Sequence, residues 1–174
     1  DNLEADDLIA GFIESFDKGE NKFTIVSTDT DFQQLLSPTV RLYDGVQGKL
    51  TTVDGVFDDN GKPYKGKTDK PDPEYMLFEK IIRGDKSDNI ESAYPGCRKK
   101  GTKKKIGIIE AYEDRHTQGF NWNNFMMQKW IDIEGNEHLV KDVYDRNKML
   151  IDLKAQPNEV KTKIKETIDE KTSN

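Results

Sequence analysis

Apolar residues recur at Ala5, Leu8, Ile9, Phe12, Ile13 and Phe16. That i, i+3, i+4 spacing marks one face of an amphipathic helix and predicts one over 3–17. Asp1 or Asn2 is placed to cap it, and Gly19 stands where it would end. The short run Phe23-Thr24-Ile25-Val26-Ser27 follows, and a continuous apolar run of this kind predicts a strand buried on both faces. A helix leading into a central strand suggests an α/β layer with a parallel sheet. Asp29 to Leu36 predicts a short helix opening at the end of that strand, and Val40–Tyr43 a second strand. Turn residues crowd 44–70 (Gly45, Gly48, Gly55, Asp58-Asp59-Asn60-Gly61, Pro63, Gly66), a stretch read as hairpin strands and loops. Pro71 and Pro73 introduce a helix over 73–83 that carries Tyr75, Met76, Phe78, Ile81 and Ile82.

Beyond Gly84 the pattern reads as helical throughout, over 102–113, 120–131, 136–152 and 157–170, with a domain boundary near residue 90. Trp122, Phe125, Met126, Met127 and Trp130 keep helical spacing and read as core, not as base-stacking platforms. From 158 onward the large apolar residues thin to Val160, Ile164 and Ile168, a tail expected to pack weakly or fray.

Composition narrows the chemistry. At 174 residues, 33% hydrophobic and 34% charged, the chain suits one compact domain, or a domain plus a small lobe, with a modest core. No run approaches the roughly 20 apolar residues of a membrane span. The opening Asp1-Asn2-Leu3-Glu4 has no signal-peptide pattern, and the lone Cys97 fits a reducing cytosol, so a cytoplasmic protein is expected. One cysteine and two histidines argue against a structural zinc site. His116 and His138 read as surface residues, and Cys97 takes no role. A bound metal would have to be held by carboxylates, which points to a hard cation such as magnesium or manganese.

Three acidic groups supply candidates: Glu4-Ala5-Asp6-Asp7, Asp29-Thr30-Asp31 and Asp85-Lys86-Ser87-Asp88. The first sits in an opening helical turn, where the dipole favours carboxylates. The second lies past a strand, where open α/β sheets bind ligands. In the third, i, i+3 spacing brings Asp85 and Asp88 to one side. Taken singly, each also reads as an ordinary cap or turn. Packing all three near one sheet edge would be costly by mutual repulsion unless cations offset it. Asp58–Gly61 and the segment around Gly135 resemble calcium loops, but neither supplies the terminal carboxylates an EF-hand needs, and both read as turns.

The net charge of −6 conceals a polarised distribution. Arg98-Lys99-Lys100-Gly101-Thr102-Lys103-Lys104-Lys105 is six-eighths cationic, follows Tyr94-Pro95-Gly96 and leads into Ile106-Gly107-Ile108-Ile109. A glycine-containing turn before a helix presents N–H groups suited to a phosphate. Such polarity suits a protein that holds cations at one place and grips a phosphate backbone at another.

Glu4-Ala5-Asp6-Asp7-Leu8-Ile9-Ala10, Ile25-Val26-Ser27-Thr28-Asp29-Thr30-Asp31-Phe32-Gln33-Gln34-Leu35 and Gly84-Asp85-Lys86-Ser87-Asp88-Asn89-Ile90 together resemble the signatures of structure-specific 5′ nucleases. That family comprises phage RNase H-type 5′–3′ exonucleases, the 5′-nuclease domain of bacterial DNA polymerase I, and flap endonucleases. The resemblance covers residues 1 to about 112, and Arg146–Leu153 is similar to a weaker C-terminal segment of phage members. It implies an α/β fold: a partial parallel-sheet, PIN-like 5′-nuclease core over 1–90, being the C-terminal part of that core. An all-helical region over 91–174 would follow, with a helix–hairpin–helix DNA-binding element at about 91–113.

The resemblance further implies a divalent-metal-dependent 5′–3′ exonuclease or flap endonuclease that hydrolyses phosphodiesters by a two-metal mechanism. Glu4, Asp6, Asp7, Asp29, Asp31, Asp85 and Asp88 would be the metal ligands, with Asp6, Asp29, Asp31 and Asp85 catalytic. The cofactor would be two or more Mg2+ or Mn2+ ions, with a monovalent K+ at the hairpin as a further ion. Arg98 through Lys105 (Arg98, Lys99, Lys100, Gly101, Thr102, Lys103, Lys104, Lys105) would bind DNA. Double-stranded or flap DNA is the implied partner, with RNA–DNA hybrids and replication proteins as further candidates and no membrane. The implied setting is a phage protein in the bacterial host cytosol.

Two departures stand against the family pattern. The hairpin is longer and more basic than the family's usual glycine-rich form. The family also has a segment before Glu-Ala-Asp-Asp that supplies a first strand, further ligands and a helical arch, and this chain starts at Asp1 without methionine. The expectation is therefore a fragment lacking part of the metal shell. A noncatalytic duplex-DNA-binding module that retains the hairpin is the alternative, and a PIN-type ribonuclease a third reading.

Overall fold

The computed structural model describes residues 3–96 and 107–172. Cys97 and the predicted DNA-binding run Arg98–Lys105 lie outside the described residues. In chain order the first elements are α1 (Ala5–Phe16), β1 (Phe23–Val26), a 3-10 turn (Thr30–Leu35), β2 (Val40–Asp44), β3 (Lys49–Thr52), β4 (Gly55–Asp58) and α2 (Pro73–Arg83). There follow α3 (Ile108–Glu113), α4 (Phe120–Met126), β5 (Lys129–Ile131), β6 (Glu137–Leu139), α5 (Val140–Ile151) and α6 (Asn158–Thr172). The chain divides into two compact units, residues 1–76 with 153–174, and residues 77–152. The division is thus not a single boundary near residue 90: the chain re-enters the first unit after Asp152.

The first unit holds a four-stranded sheet in the order β1-β2-β3-β4. β1 runs parallel to β2, with Ile25 opposite Leu42, whereas β2, β3 and β4 form an antiparallel meander. Turns at Asp44–Lys49 and Thr52–Gly55 join the meander, as the turn-rich sequence there requires. Its core is Ala10, Ile25, Phe32, Leu35, Leu36, Val40 and Leu42, with Ile9, Ile13, Phe23, Val53 and Leu153 packed against it.

Two expectations fail in this unit. β1 is buried on one face only: Ile25 points into the core, while Val26 is 71% exposed. Among the described residues β1 pairs on one side alone, so it is an edge strand, and its apolar run is not the mark of a two-sided one. The tail does not fray. Ile164 and Ile168 are buried, and α6 packs along α1. Gly11 permits the close approach, since a Cβ there would collide with the Ile164 side chain.

The second unit is built round Phe78, Ile81, Ile82, Ile108, Phe125, Met126 and Val140, all buried. The Phe78 ring lies 5.5–5.9 Å from the rings of Tyr112, Trp122 and Tyr144. This unit is not all-helical. The helix expected over 120–131 ends at Met126, and β5 and β6 form a hairpin with Trp130 opposite His138. Asp132 organises the intervening turn, its Oδ1 accepting from the backbone N–H groups of Glu134 and Asn136. Trp130 leaves the helical face to stack on His138 at 4.4 Å, and its indole N–H donates to the Ala93 carbonyl. His138 is therefore not a loose surface residue, for its Nε2 lies 2.8 Å from Asp132 Oδ2. Phe125 and Met126 are core as expected, whereas Met127 is 64% exposed.

Candidate metal centre

Glu4 is the N-cap residue of α1, and Asp6 and Asp7 occupy its first turn. There the unpaired helical N–H groups favour negative charge. Asp29 follows β1 and caps the 3-10 turn, its Oδ1 accepting from the Asp31 N–H at 2.8 Å. The Asp29 N–H in turn donates to Ser27 Oγ. These local bonds fix the backbone that carries Asp29 and Asp31 at the carboxyl end of a strand.

The two acidic groups meet within the first unit. The Asp6 carboxyl is pushed above its ordinary range by burial, then by the charges of Asp29 and Asp31, with Glu4 and Asp7 adding to them. A carboxylate partly shielded from water and repelled by neighbouring carboxylates bears its charge at a cost. That is the condition a hard divalent cation relieves, and an all-oxygen donor set matches its coordination preference. Asp6, Asp29 and Asp31 thus offer the all-oxygen donor chemistry that a divalent ion takes. Asp7 is placed differently: it is buried, and its Oδ1 accepts from Gln156 Nε2 at 2.6 Å.

Asp85 and Asp88 belong to the second unit, on the turn that follows α2. Gly84 ends the helix with φ +72°, its N–H donating to the Lys80 carbonyl at 2.8 Å. A Cβ at Gly84 would meet the Ile90 carbonyl oxygen and lie 2.6 Å from the Glu91 backbone. The motif needs glycine here for both reasons. Asp85 and Ile90 close the turn through a reciprocal backbone pair, with N···O distances of 2.9 and 2.7 Å. Lys80 Nζ sits 2.7 Å from Asp85 Oδ2, and the Ser87 N–H donates to Oδ1 at 2.9 Å. The Lys80 ammonium, seconded by Ser87, holds the Asp85 carboxyl well below the usual range. Asp88 is exposed.

Sequence reasoning missed several residues that serve these turns. Asn147 is fully buried on α5 and donates from Nδ2 to the carbonyls of Ile81 and Glu91. Its signal was available, since Val140, Val143, Asn147 and Ile151 form one buried stripe with a single polar member. Lys80 at the end of α2, and Gln156 as the partner of Asp7, carried no comparable signal. Asp44 at the carboxyl end of β2 is buried as well. Its Oδ1 accepts from the Val46 and Gln47 N–H groups, and Lys49 Nζ lies 3.7 Å from Oδ2.

No protein-family model matches the chain. Over 117 residues, 67% of its length, it is 32% identical to a protein named DNA polymerase I from Rhizobium leguminosarum. Over 143 residues, 79% of its length, it is 32% identical to a 5′-3′ exonuclease from Aquifex aeolicus (strain VF5). The chain spans only 10% and 45% of those two relatives. In three dimensions it is similar to a bacteriophage T5 D15 flap endonuclease, solved as a pseudo-enzyme–product complex with DNA and metal ions. The TM-score is 0.57 at 21% identity, covering 99% of this chain and 61% of that one. The mixed α/β fold with its partly parallel sheet is the one that this likeness establishes.

Proposed function

The chain is a protein of the 5′ nuclease family, and on that premise we propose that it hydrolyses phosphodiester bonds in DNA as a divalent-metal-dependent 5′–3′ exonuclease or flap endonuclease. The observation that carries the reading is the crowding of Asp6 by Asp29 and Asp31 at the carboxyl end of β1. Glu4, Asp6, Asp29 and Asp31 hold the cations, Mg2+ or Mn2+, in a two-metal mechanism. Asp85 and Asp88 are proposed as further ligands on the strength of the Gly84–Ile90 motif, and Asp7 as one by its place in the first motif. When bound, such ions lower the pKa of an attacking water and offset charge on the attacking and leaving oxygens. Asp29 and Asp31 contribute a rigid pair of oxygens, because Asp29 is tied to the backbone it precedes. Asp6 would contribute a carboxyl whose charge burial and its acidic neighbours oppose.

Arg98 through Lys105 are the residues proposed to grip the duplex backbone without reading sequence, as the helix–hairpin–helix reading of about 91–113 expects. A K+ ion at that hairpin, RNA–DNA hybrids as a second substrate, replication proteins as partners and a cytoplasmic setting belong to the same reading. The test is cleavage of 5′-flap and nicked duplex DNA, and of an RNA–DNA hybrid, in Mg2+ or Mn2+ and in EDTA. EDTA should abolish turnover. Asp29→Asn and Asp85→Asn should each cost at least the upper end of the roughly 10–100-fold that even outer-shell changes cost at metal sites. Activity surviving both substitutions would sink these ligand assignments. Tight, salt-sensitive duplex binding with no turnover in either metal would instead identify a noncatalytic DNA-binding module. A preference for single-stranded RNA would favour a PIN-type ribonuclease.

A further inference from the structure

The acidic turn after α2 is braced from a residue far away in sequence. Asn147 is wholly inaccessible, and its Nδ2 lies 3.0 Å from the Ile81 carbonyl and 2.7 Å from the Glu91 carbonyl. Both partners can only accept, so the amide nitrogen and not the oxygen must face them. Its two N–H groups are thereby assigned, one to each carbonyl. The Arg146 guanidinium lies 3.3–3.4 Å from Asn147 Oδ1, which fixes the other end of the amide. Ile81 and Glu91 flank the turn on its two sides. Between them lie Gly84, with its left-handed backbone, and the reciprocal Asp85–Ile90 pair. One carboxamide therefore pins both ends of the loop that displays Asp85 and Asp88.

A residue at this point of the α5 stripe would ordinarily be Val, Ile or Leu, as its neighbours are. Burying an amide costs free energy unless its hydrogen bonds are met. Here both N–H groups are met by the backbone on either side of an acidic turn, and the oxygen by Arg146. We propose that Asn147 is a positioning residue for this turn, holding Asp85 and Asp88 in the arrangement that binds a divalent cation. The inference rests on the nuclease reading above, in which these two carboxylates are metal ligands. Asn147 is itself closed off from solvent. Its effect passes through the Ile81 and Glu91 carbonyls.

The experiment compares the wild-type chain with Asn147→Asp, Asn147→Ser and Val143→Ala, the last a buried neighbour on the same helix face. Two readouts are taken: hydrogen exchange at the Asp85 and Ile90 amides, and Mn2+ binding by electron paramagnetic resonance. The relevant Mn2+ component is the one that Asp85→Asn removes. Asn147→Asp keeps the shape but sets one carboxylate oxygen, in place of the donating nitrogen, against both carbonyls. It should speed exchange at both amides and weaken Mn2+ binding by roughly 10–100-fold. Val143→Ala should lower the urea midpoint and leave Mn2+ affinity at the wild-type value. If Asn147→Asp does not fold, Asn147→Ser, which retains one donor and admits water, decides by the same criterion. Unchanged Mn2+ affinity in the Asn147 variants, or a loss no greater than that of Val143→Ala, would overturn the inference while leaving the nuclease reading intact. A wild-type chain that binds no Mn2+ would overturn that reading, and the inference with it.

Discussion

Tyr144 illustrates how a single burial sets a pH limit on the fold. Its ring packs against those of Phe78 and Trp122, with centroids 5.9 and 5.7 Å away. Burial first, then the charges of Asp145 and Asp152, push its phenol up to about 12, against the partial opposition of Arg115. The folded state thus prefers the neutral phenol. Stability from this group is fully present below the ordinary tyrosine value near 10 and is lost as pH rises toward 12. Urea midpoints measured on either side of that interval should fall steeply in the wild type and less steeply in Tyr144→Phe. Equal slopes would show that other groups carry the alkaline transition. The same scale explains what the sequence could and could not disclose. Asp29 was recognisable because it follows a strand, a local fact. The hydrogen bond that Asp7 accepts was not visible, because its donor is Gln156, 149 residues distant. Asn147 could be recognised as a polar residue on an apolar stripe, but the carbonyls it serves could not.

At the level of elements, α1, the meander and α2 were legible because each is long enough, or rich enough in turn residues, to show its period. β5 and β6 were not, because strands of three residues show too little alternation to compete with an apparent helical spacing through Trp130. α6 was underestimated for a different reason. Its few apolar residues suffice because Ile164 and Ile168 stand one turn apart and meet a glycine on α1. A sparse stripe packs well when its partner offers a groove. Ile164→Ala should accordingly cost about 2–5 kcal/mol of first-unit stability, read from denaturant unfolding. A loss below 0.5 kcal/mol, the ordinary range for surface positions, would mean that α6 does not pack on α1 in solution.

At the level of the whole molecule, a net charge of −6 coexists with a local excess of carboxylates round Asp6. Among the described residues, no helix is long and apolar enough to cross a membrane. In the proposed function the acidic excess is offset by cations, so the metal-free chain carries a repulsion that the loaded chain does not. Mn2+ at a hundredfold over its dissociation constant should stabilise the wild type by about 2.7 kcal/mol. Asp6→Asn should unfold at a higher temperature than the wild type without metal and gain little when Mn2+ is added. Calorimetry with and without the ion checks both halves; an Asp6→Asn chain that gains as much as the wild type would remove Asp6 from the ligand set. The two-part construction of the first unit has a further consequence, one of timing. Residues 77–152 close on themselves, whereas α1 must find α6 across a loop that contains that entire second unit. During synthesis the Gly11 side of α1 is made early and receives its covering helix late. The middle of the chain can therefore be native while its beginning still waits, and that interval is when the nascent protein offers most to a chaperone or a protease.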